Sequence, residues 1–210
     1  MRPISEICQI LDIFKSQDPA PQSELKYHNA YTLLVAIVLS AQSTDKGVNK
    51  ATAELFKLAD TPQKMLALGI DALKEHIKTI GLYNNKAKNI MALSQKLVTE
   101  KNGIVPPERE FLENLPGVGR KTANVLLNVW WHQPTVAVDT HVLRLAKRLE
   151  FSDGTSPLAV EADLNKLPDK YKLYLNHWLV LFGRYICKAQ KPDCPNCPVS
   201  EFCHSSDKRI

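Results

Sequence analysis

Apolar residues recur at helical intervals along nearly the whole chain, and no stretch alternates apolar with polar over the length of a strand. A strand turns every second residue to one face, whereas a helix needs an apolar position every three or four. The pattern excludes a sheet-based core and predicts an all-α fold. Ile7, Ile10, Leu11 and Phe14 form a stripe over residues 4–14, with Cys8 inside it as a buried structural thiol. Residues 29–41 are mostly apolar and read as a buried helix. Ser43 or Thr44 can cap the next, which turns Val48, Ala51, Leu55 and Phe56 inward. Thr61-Pro62 pairs an N-cap with proline at the first helical position, and Gly69 and Gly81 stand where helices should stop. Asn84 or Asn85 can cap a helix running to about Lys101, before Asn102-Gly103 and Pro106-Pro107 break the chain. Further helices are expected over 108–114, 120–132, 140–149 capped by Asp139, and from Ser156-Pro157 to about Leu167. The last long one lies within 168–187, with Tyr174, Trp178, Leu181 and Tyr185 at helical spacing.

The apolar run over residues 33–39 is too short to span a bilayer, and the first residues lack the apolar stretch of a secretory signal. A cytoplasmic chain with no membrane partner is expected. Lys and Arg number 27 against 22 Asp and Glu, a formal charge of +5, which permits an anionic partner without showing one. Four of the five cysteines crowd into one segment, as Cys187, Cys194, Cys197 and Cys203. Such crowding suggests a metal site rather than staples, since local disulfides fit poorly with a chain that has no secretion signal. Four thiolates can hold tetrahedral zinc or a four-iron cluster. The spacing, with only Cys194 and Cys197 forming a close pair, disfavours a zinc ribbon slightly.

Leu115-Pro116-Gly117-Val118-Gly119 lies between two expected helices. Pro116 fixes one turn dihedral, while Gly117 and Gly119 can take positive φ and leave the backbone uncovered. The amides of Gly119, Arg120 and Lys121 then open the second helix, and a helix start is an anion site through its N–H groups and dipole. Backbone donors of this kind grip a phosphate without reading sequence. Lys121 stands at the edge of a face expected from Val118, Thr122, Val125, Leu126 and Val129. A lysine beside a helix N-terminus, another cation and an apolar wall is favoured in its neutral form, and a neutral amine can form Schiff bases. On this segment alone, a phosphate-binding lysine remains the better reading. His141, Arg144 and Arg148 make a basic stripe that can meet a DNA backbone or simply face solvent.

Leu115-Pro116-Gly117-Val118-Gly119-Arg120-Lys121-Thr122-Ala123 resembles the helix-hairpin-helix of DNA base-excision glycosylases. Together with Val138-Asp139-Thr140-His141, the four-cysteine tail, residues 39–45 and residues 80–84, it is similar to the endonuclease III family from about Tyr31 to Cys203. The resemblance implies two helical domains with a DNA-binding cleft between them: a six-helix domain over 22–133 carrying the hairpin, and an iron–sulfur domain joining 1–21 to 134–210. It implies a DNA N-glycosylase and abasic-site lyase that acts as a monomer on duplex DNA containing damaged pyrimidines or abasic sites. Lys121 becomes the nucleophile and Asp139 the catalytic carboxylate. Gln42 and Leu82 become the residues that fill and wedge the duplex after a nucleotide is everted. Gly117, Gly119, Arg120 and His141 become DNA contacts. Cys187, Cys194, Cys197 and Cys203 become ligands of one [4Fe–4S] cluster per chain. Asp45 is held only as an outer partner of the Gln42 loop.

Overall fold

The computed structural model describes residues 1–209, and among them it contains eleven α-helices, one short 3-10 helix and no strand. The helices are α1 (Ile4–Gln17), α2 (Ala30–Ser40), α3 (Asp45–Leu58), α4 (Pro62–Leu68), α5 (Ile70–Ile77), α6 (Tyr83–Lys101), α7 (Arg109–Glu113), α8 (Arg120–Trp131), α9 (Thr140–Arg148), α10 (Pro157–Leu164) and α11 (Asp169–Tyr185). None is long and apolar enough to cross a membrane. The chain divides into two compact units, Ser23–Trp131 and a discontinuous one that joins Met1–Gln22 to the chain from His132 on.

The central unit is organised around α2. Its residues from Tyr31 to Leu39 are all buried, so the helix has no solvent face. Asn29 and Thr32 close its start as a reciprocal capping box, the Asn29 side chain accepting from the Thr32 amide at 2.8 Å. Helices α3, α6 and α8 pack on it. Thr44 caps α3 by accepting from the Gly47 amide at 3.1 Å, and Thr61 caps α4 with Pro62 at its first position. Asn84 and Asn85 do not cap α6. That helix starts earlier, at Tyr83, because Leu82 takes a left-handed conformation (φ 58°) and its carbonyl accepts the Asn85 and Lys86 amides.

In the discontinuous unit, α1 and α9 pack against α11, and α10 packs against α9. The four apolar positions of α1 are all buried, and Cys8 is half-buried against the same core. The buried face of α11 runs through Tyr171, Leu175, Trp178, Leu179 and Phe182. Of the residues whose spacing suggested a stripe there, Trp178 lies on this face while Tyr185 is exposed. Helix α11 meets both α1 and α9, and Phe182 packs on Phe14 with ring centroids 4.8 Å apart and the rings tilted by 50°. Arg2 is buried and ties the chain's beginning to its far end, its Nε donating to the Leu149 carbonyl at 3.0 Å and its Nη2 to the Phe202 carbonyl.

Leu34 is fully buried on α2. Leu34→Ala is expected to destabilise the protein by about 2–5 kcal/mol, through lost transfer free energy and the cavity left behind. The urea midpoint should fall while the slope is unchanged.

Candidate functional site

The hairpin is built by α7, a tight turn and α8. The Leu115 amide donates to the Leu112 carbonyl and the Val118 amide to the Leu115 carbonyl, each at 3.0 Å, so the chain reverses in a few residues. Gly117 has φ 78°, and a Cβ built there would lie 2.8 Å from the Asn89 side chain on α6. The position admits no other residue without strain, for both conformation and space. At Gly119 a Cβ would meet nothing within 4 Å. The Gly119 carbonyl accepts from the Ala123 amide at 3.0 Å, and glycine at 119 puts no side chain over the first turn of α8. Arg120 and Lys121 are both exposed in that turn. This exposed, dipole-positive helix start with two cations can hold a phosphate. The buried face of α8 is Ala123, Leu126 and Leu127, with Asn124 and Asn128. Thr122, Val125 and Val129 are half-buried, so the face is rotated from the one the apolar spacing suggested.

In the same unit, Asp45 opens α3. Burial pushes its carboxyl pKa above the usual value, and the positive charge of Lys121 pulls it back down. The Asp45 carboxyl thus lies within electrostatic reach of the Lys121 charge.

Gln42 and Leu82 sit on two adjacent turns. Both are exposed and both have positive φ, 56° and 58°, although neither is glycine. A Cβ built on Gly81 would lie 3.7 Å from the Gln42 carbonyl oxygen, so the turns are in contact. Leu82 is 60% exposed, a large apolar side chain held in water. A left-handed non-glycine residue costs roughly 1–2 kcal/mol, and such strain persists only where surrounding contacts fix it. One of those contacts is Lys86, which sequence reasoning passed over. Its signal was a lysine in register with Ile90, Leu93 and Leu97 on the buried face of α6.

In the discontinuous unit, Asp139 is half-buried and caps α9, one carboxylate oxygen accepting from the Val142 amide at 2.9 Å. The cap leaves the second oxygen for other work. The basic stripe on α9 does not simply face solvent. Arg144 donates to the carbonyls of Gly183, at 2.8 Å, and Cys187, at 3.1 Å, and lies 3.2 Å from His141 Nδ1. Arg148 is buried and donates to the carbonyls of Lys188, at 2.7 Å, and Ala189, at 3.2 Å. These guanidiniums fasten the start of the cysteine loop. Burial lowers the Arg144 pKa, with the nearby Arg148 charge adding to it. For Arg148 burial acts the same way but is outweighed by its bonds to Cys187 and Asp207, and the pKa rises.

Cys187, Cys194, Cys197 and Cys203 are free, half-buried thiols around one pocket whose wall includes Leu149, Phe182 and Ile186. Arg148 Nη1 lies 3.4 Å from Cys187 Sγ, and the Arg209 amide donates to Cys194 Sγ at 3.3 Å. Burial pushes the Cys197 thiol up, and the other three cysteines add to the shift. Among the described residues no three His, Cys, Asp or Glu side chains gather as ligands of a single ion. Four sulfurs around an apolar pocket, two of them with N–H groups nearby, fit a cluster that takes one thiolate per iron.

A family model described as HhH-GPD superfamily base excision DNA repair protein matches residues 35–170. The chain is 50% identical to an endonuclease III of Haemophilus influenzae over 201 residues, 95% of each chain. It is 53% identical to one of Rickettsia felis over 196 residues, 93% of this chain and 92% of that one. A solved structure of a trapped endonuclease III–DNA covalent intermediate superposes with a TM-score of 0.91 at 45% identity, covering 97% of both chains. Likeness of this depth along almost the full length, with the hairpin and both exposed turns inside the aligned region, means that the chain belongs to the HhH-GPD superfamily of base excision DNA repair proteins and, within it, to the endonuclease III family.

Proposed function

We propose that the protein removes oxidised or ring-damaged pyrimidines from duplex DNA and cuts the strand 3′ to the abasic site, with Lys121 as nucleophile. The observation that carries this reading is the exposed Lys121 in the open first turn of α8, directly after a hairpin whose glycine geometry leaves backbone amides to hold phosphate. The bound phosphate fixes the strand, and the exposed Lys121 in the same turn can then reach its sugar. Gly117, Gly119 and Arg120 hold the backbone, and His141 is assigned to a further DNA contact. Gln42 fills the gap left by an everted nucleotide, and Leu82 wedges the opposite strand.

The lone pair of Lys121 Nζ forms a bond to C1′ as the bond from C1′ to the base nitrogen breaks, and the base leaves with that electron pair and takes up a proton. Nitrogen loses its proton, the C1′–O4′ bond opens, and O4′ is protonated, leaving an imine. Loss of a C2′ proton then expels the 3′ phosphate through cleavage of C3′–O3′. Water releases the lysine. Asp139 supports this with its uncapped oxygen, stabilising positive charge that builds on the sugar and relaying protons. We assign the hairpin domain to residues 22–133 and the cluster domain to 1–21 with 134–210, the protein acting as a monomer in the cytoplasm. Cys187, Cys194, Cys197 and Cys203 would hold one [4Fe–4S] cluster, which would supply a cross-link that organises their loop, since base removal transfers no electron.

Borohydride should trap a covalent adduct between the protein and a duplex bearing an oxidised pyrimidine. Lys121→Ala is expected to abolish the adduct, and an undiminished yield rules out Lys121 as the nucleophile. Asp139→Asn is expected to slow single-turnover excision about a hundredfold or more, with DNA affinity changed far less; equal losses in both count against its role. Purified protein should contain about four irons per chain, and Cys197→Ser should lose iron and visible absorption together. Stoichiometric zinc in place of iron would overturn the cluster assignment.

A further inference from the structure

Lys86 is 6% exposed, yet it carries an ammonium group among the apolar residues of α6. Its Nζ donates to the Leu39 carbonyl at 2.9 Å, the Ala41 carbonyl at 2.5 Å and the Ser43 hydroxyl at 3.2 Å. Three donors meet three acceptors, and among the described residues no carboxylate shares the site. Burial of the charged form lowers its pKa. A buried cation with only neutral partners is held by position, and this one lies at the C-terminal end of α2, where helix carbonyls lack internal partners and the dipole favours positive charge.

The acceptors bracket one residue. Ala41 and Ser43 lie on either side of Gln42, whose left-handed backbone depends on both neighbours staying in place. The same lysine holds the second turn through its backbone, since the Lys86 amide donates to the Leu82 carbonyl at 3.1 Å. One residue thus contacts both turns, through its side chain and its main chain, and the turns also touch at Gly81 and Gln42.

We infer that Lys86 is a positioning residue that locks the Gln42 and Leu82 turns into one preset wedge, so that both side chains meet the duplex together when a nucleotide is everted. It acts through those residues and touches no DNA. The inference rests on the roles of Gln42 and Leu82 proposed above and goes beyond them by naming what keeps two strained tips ready. Without the ammonium, the carbonyls of Leu39 and Ala41 lose their donor. The Gln42 backbone can then relax out of the left-handed region, and eversion must reorder it on every encounter.

The test is a mutant cycle on duplex DNA carrying an oxidised pyrimidine beside 2-aminopurine, whose fluorescence reports eversion, with single-turnover excision measured in parallel. Lys86→Met keeps the unbranched stem, one heavy atom shorter, and removes its donors. It is expected to slow eversion and excision at least tenfold while circular dichroism remains that of the parent. In a chain already carrying Gln42→Ala and Leu82→Ala, adding Lys86→Met should change the rate less than twofold, because the lysine has nothing left to position. A purely structural lysine would give losses that multiply, and that result overturns the inference. Ser43→Ala removes one acceptor at a half-buried position and covers the case in which Lys86→Met does not fold. It should slow eversion about threefold in the parent chain and not in the Gln42→Ala, Leu82→Ala chain, and parental kinetics in Ser43→Ala would overturn the inference in that case. If Gln42→Ala and Leu82→Ala themselves leave eversion unchanged, the wedge reading fails. If they slow it and Lys86→Met folds with parental rates, only the role of Lys86 fails.

Discussion

A helix without a solvent face is the constraint on which the central unit depends. Because every residue of α2 from Tyr31 to Leu39 is buried, this segment can be stable only when other helices surround it. Helices α3, α6 and α8 supply that cover. Two consequences follow for the site. The second helix of the hairpin is fixed by packing on α2, which sets where its open first turn lies. The C-terminal end of α2 must also deliver the chain to the surface within a residue or two, and Gln42 stands at that exit. Burial in the core and display at the surface are thus set by the same helix.

Much of this was legible in the sequence, for reasons that differ by element. Thr61-Pro62, Ser156-Pro157 and Asp139 are local chemistry: a side-chain oxygen within reach of an amide three residues on, helped at two of them by a proline that fits the first turn. Each appears where the residues placed it. The resemblance carried by the hairpin and the cysteine tail identified the family. Elements whose form depends on distant partners were read less well. Asn84 and Asn85 have the chemistry of caps, but the left-handed Leu82 lets α6 begin before them. On α11 the tyrosines have both apolar and polar edges, so spacing alone does not separate the buried Trp178 from the exposed Tyr185, and Phe182 joins the core against Phe14. On α8 Leu126 is buried as its spacing suggests, while Thr122, Val125 and Val129 are half-buried and Asn124 and Asn128 are buried.

Basic residues provide a further lesson about charge. The formal +5 is compatible with an anionic partner, yet several of the cations counted in it are committed internally. Arg2, Lys86, Arg144 and Arg148 all donate to main-chain carbonyls at helix ends or in loops. Arg2 also pairs with Glu6 and Glu150, and Arg148 with Asp207, and a neutral carbonyl cannot compensate a buried charge as a carboxylate would. Several carbonyls converging on one cation can still satisfy its donors and fix the segments they belong to. In this protein that arrangement occurs at the end of α2, where Lys86 donates to Leu39 and Ala41, and at the start of the cysteine loop, where Arg144 and Arg148 donate. Net charge alone would have credited these groups to DNA binding.

The discontinuity of the first unit has a consequence for biosynthesis. Residues Ser23–Trp131 form a contiguous unit that has its own core, and they can collapse as soon as they have left the ribosome. Helix α1 is made before them, but Ile7, Ile10, Leu11 and Phe14 find their packing partners only after α9 and α11 exist, and Arg2 finds Phe202 later still. At ordinary elongation rates that interval is roughly ten to forty seconds. Until then the apolar positions of this segment lack the partners that cover them in the folded unit, so its core closes only after the chain through α11 has been made.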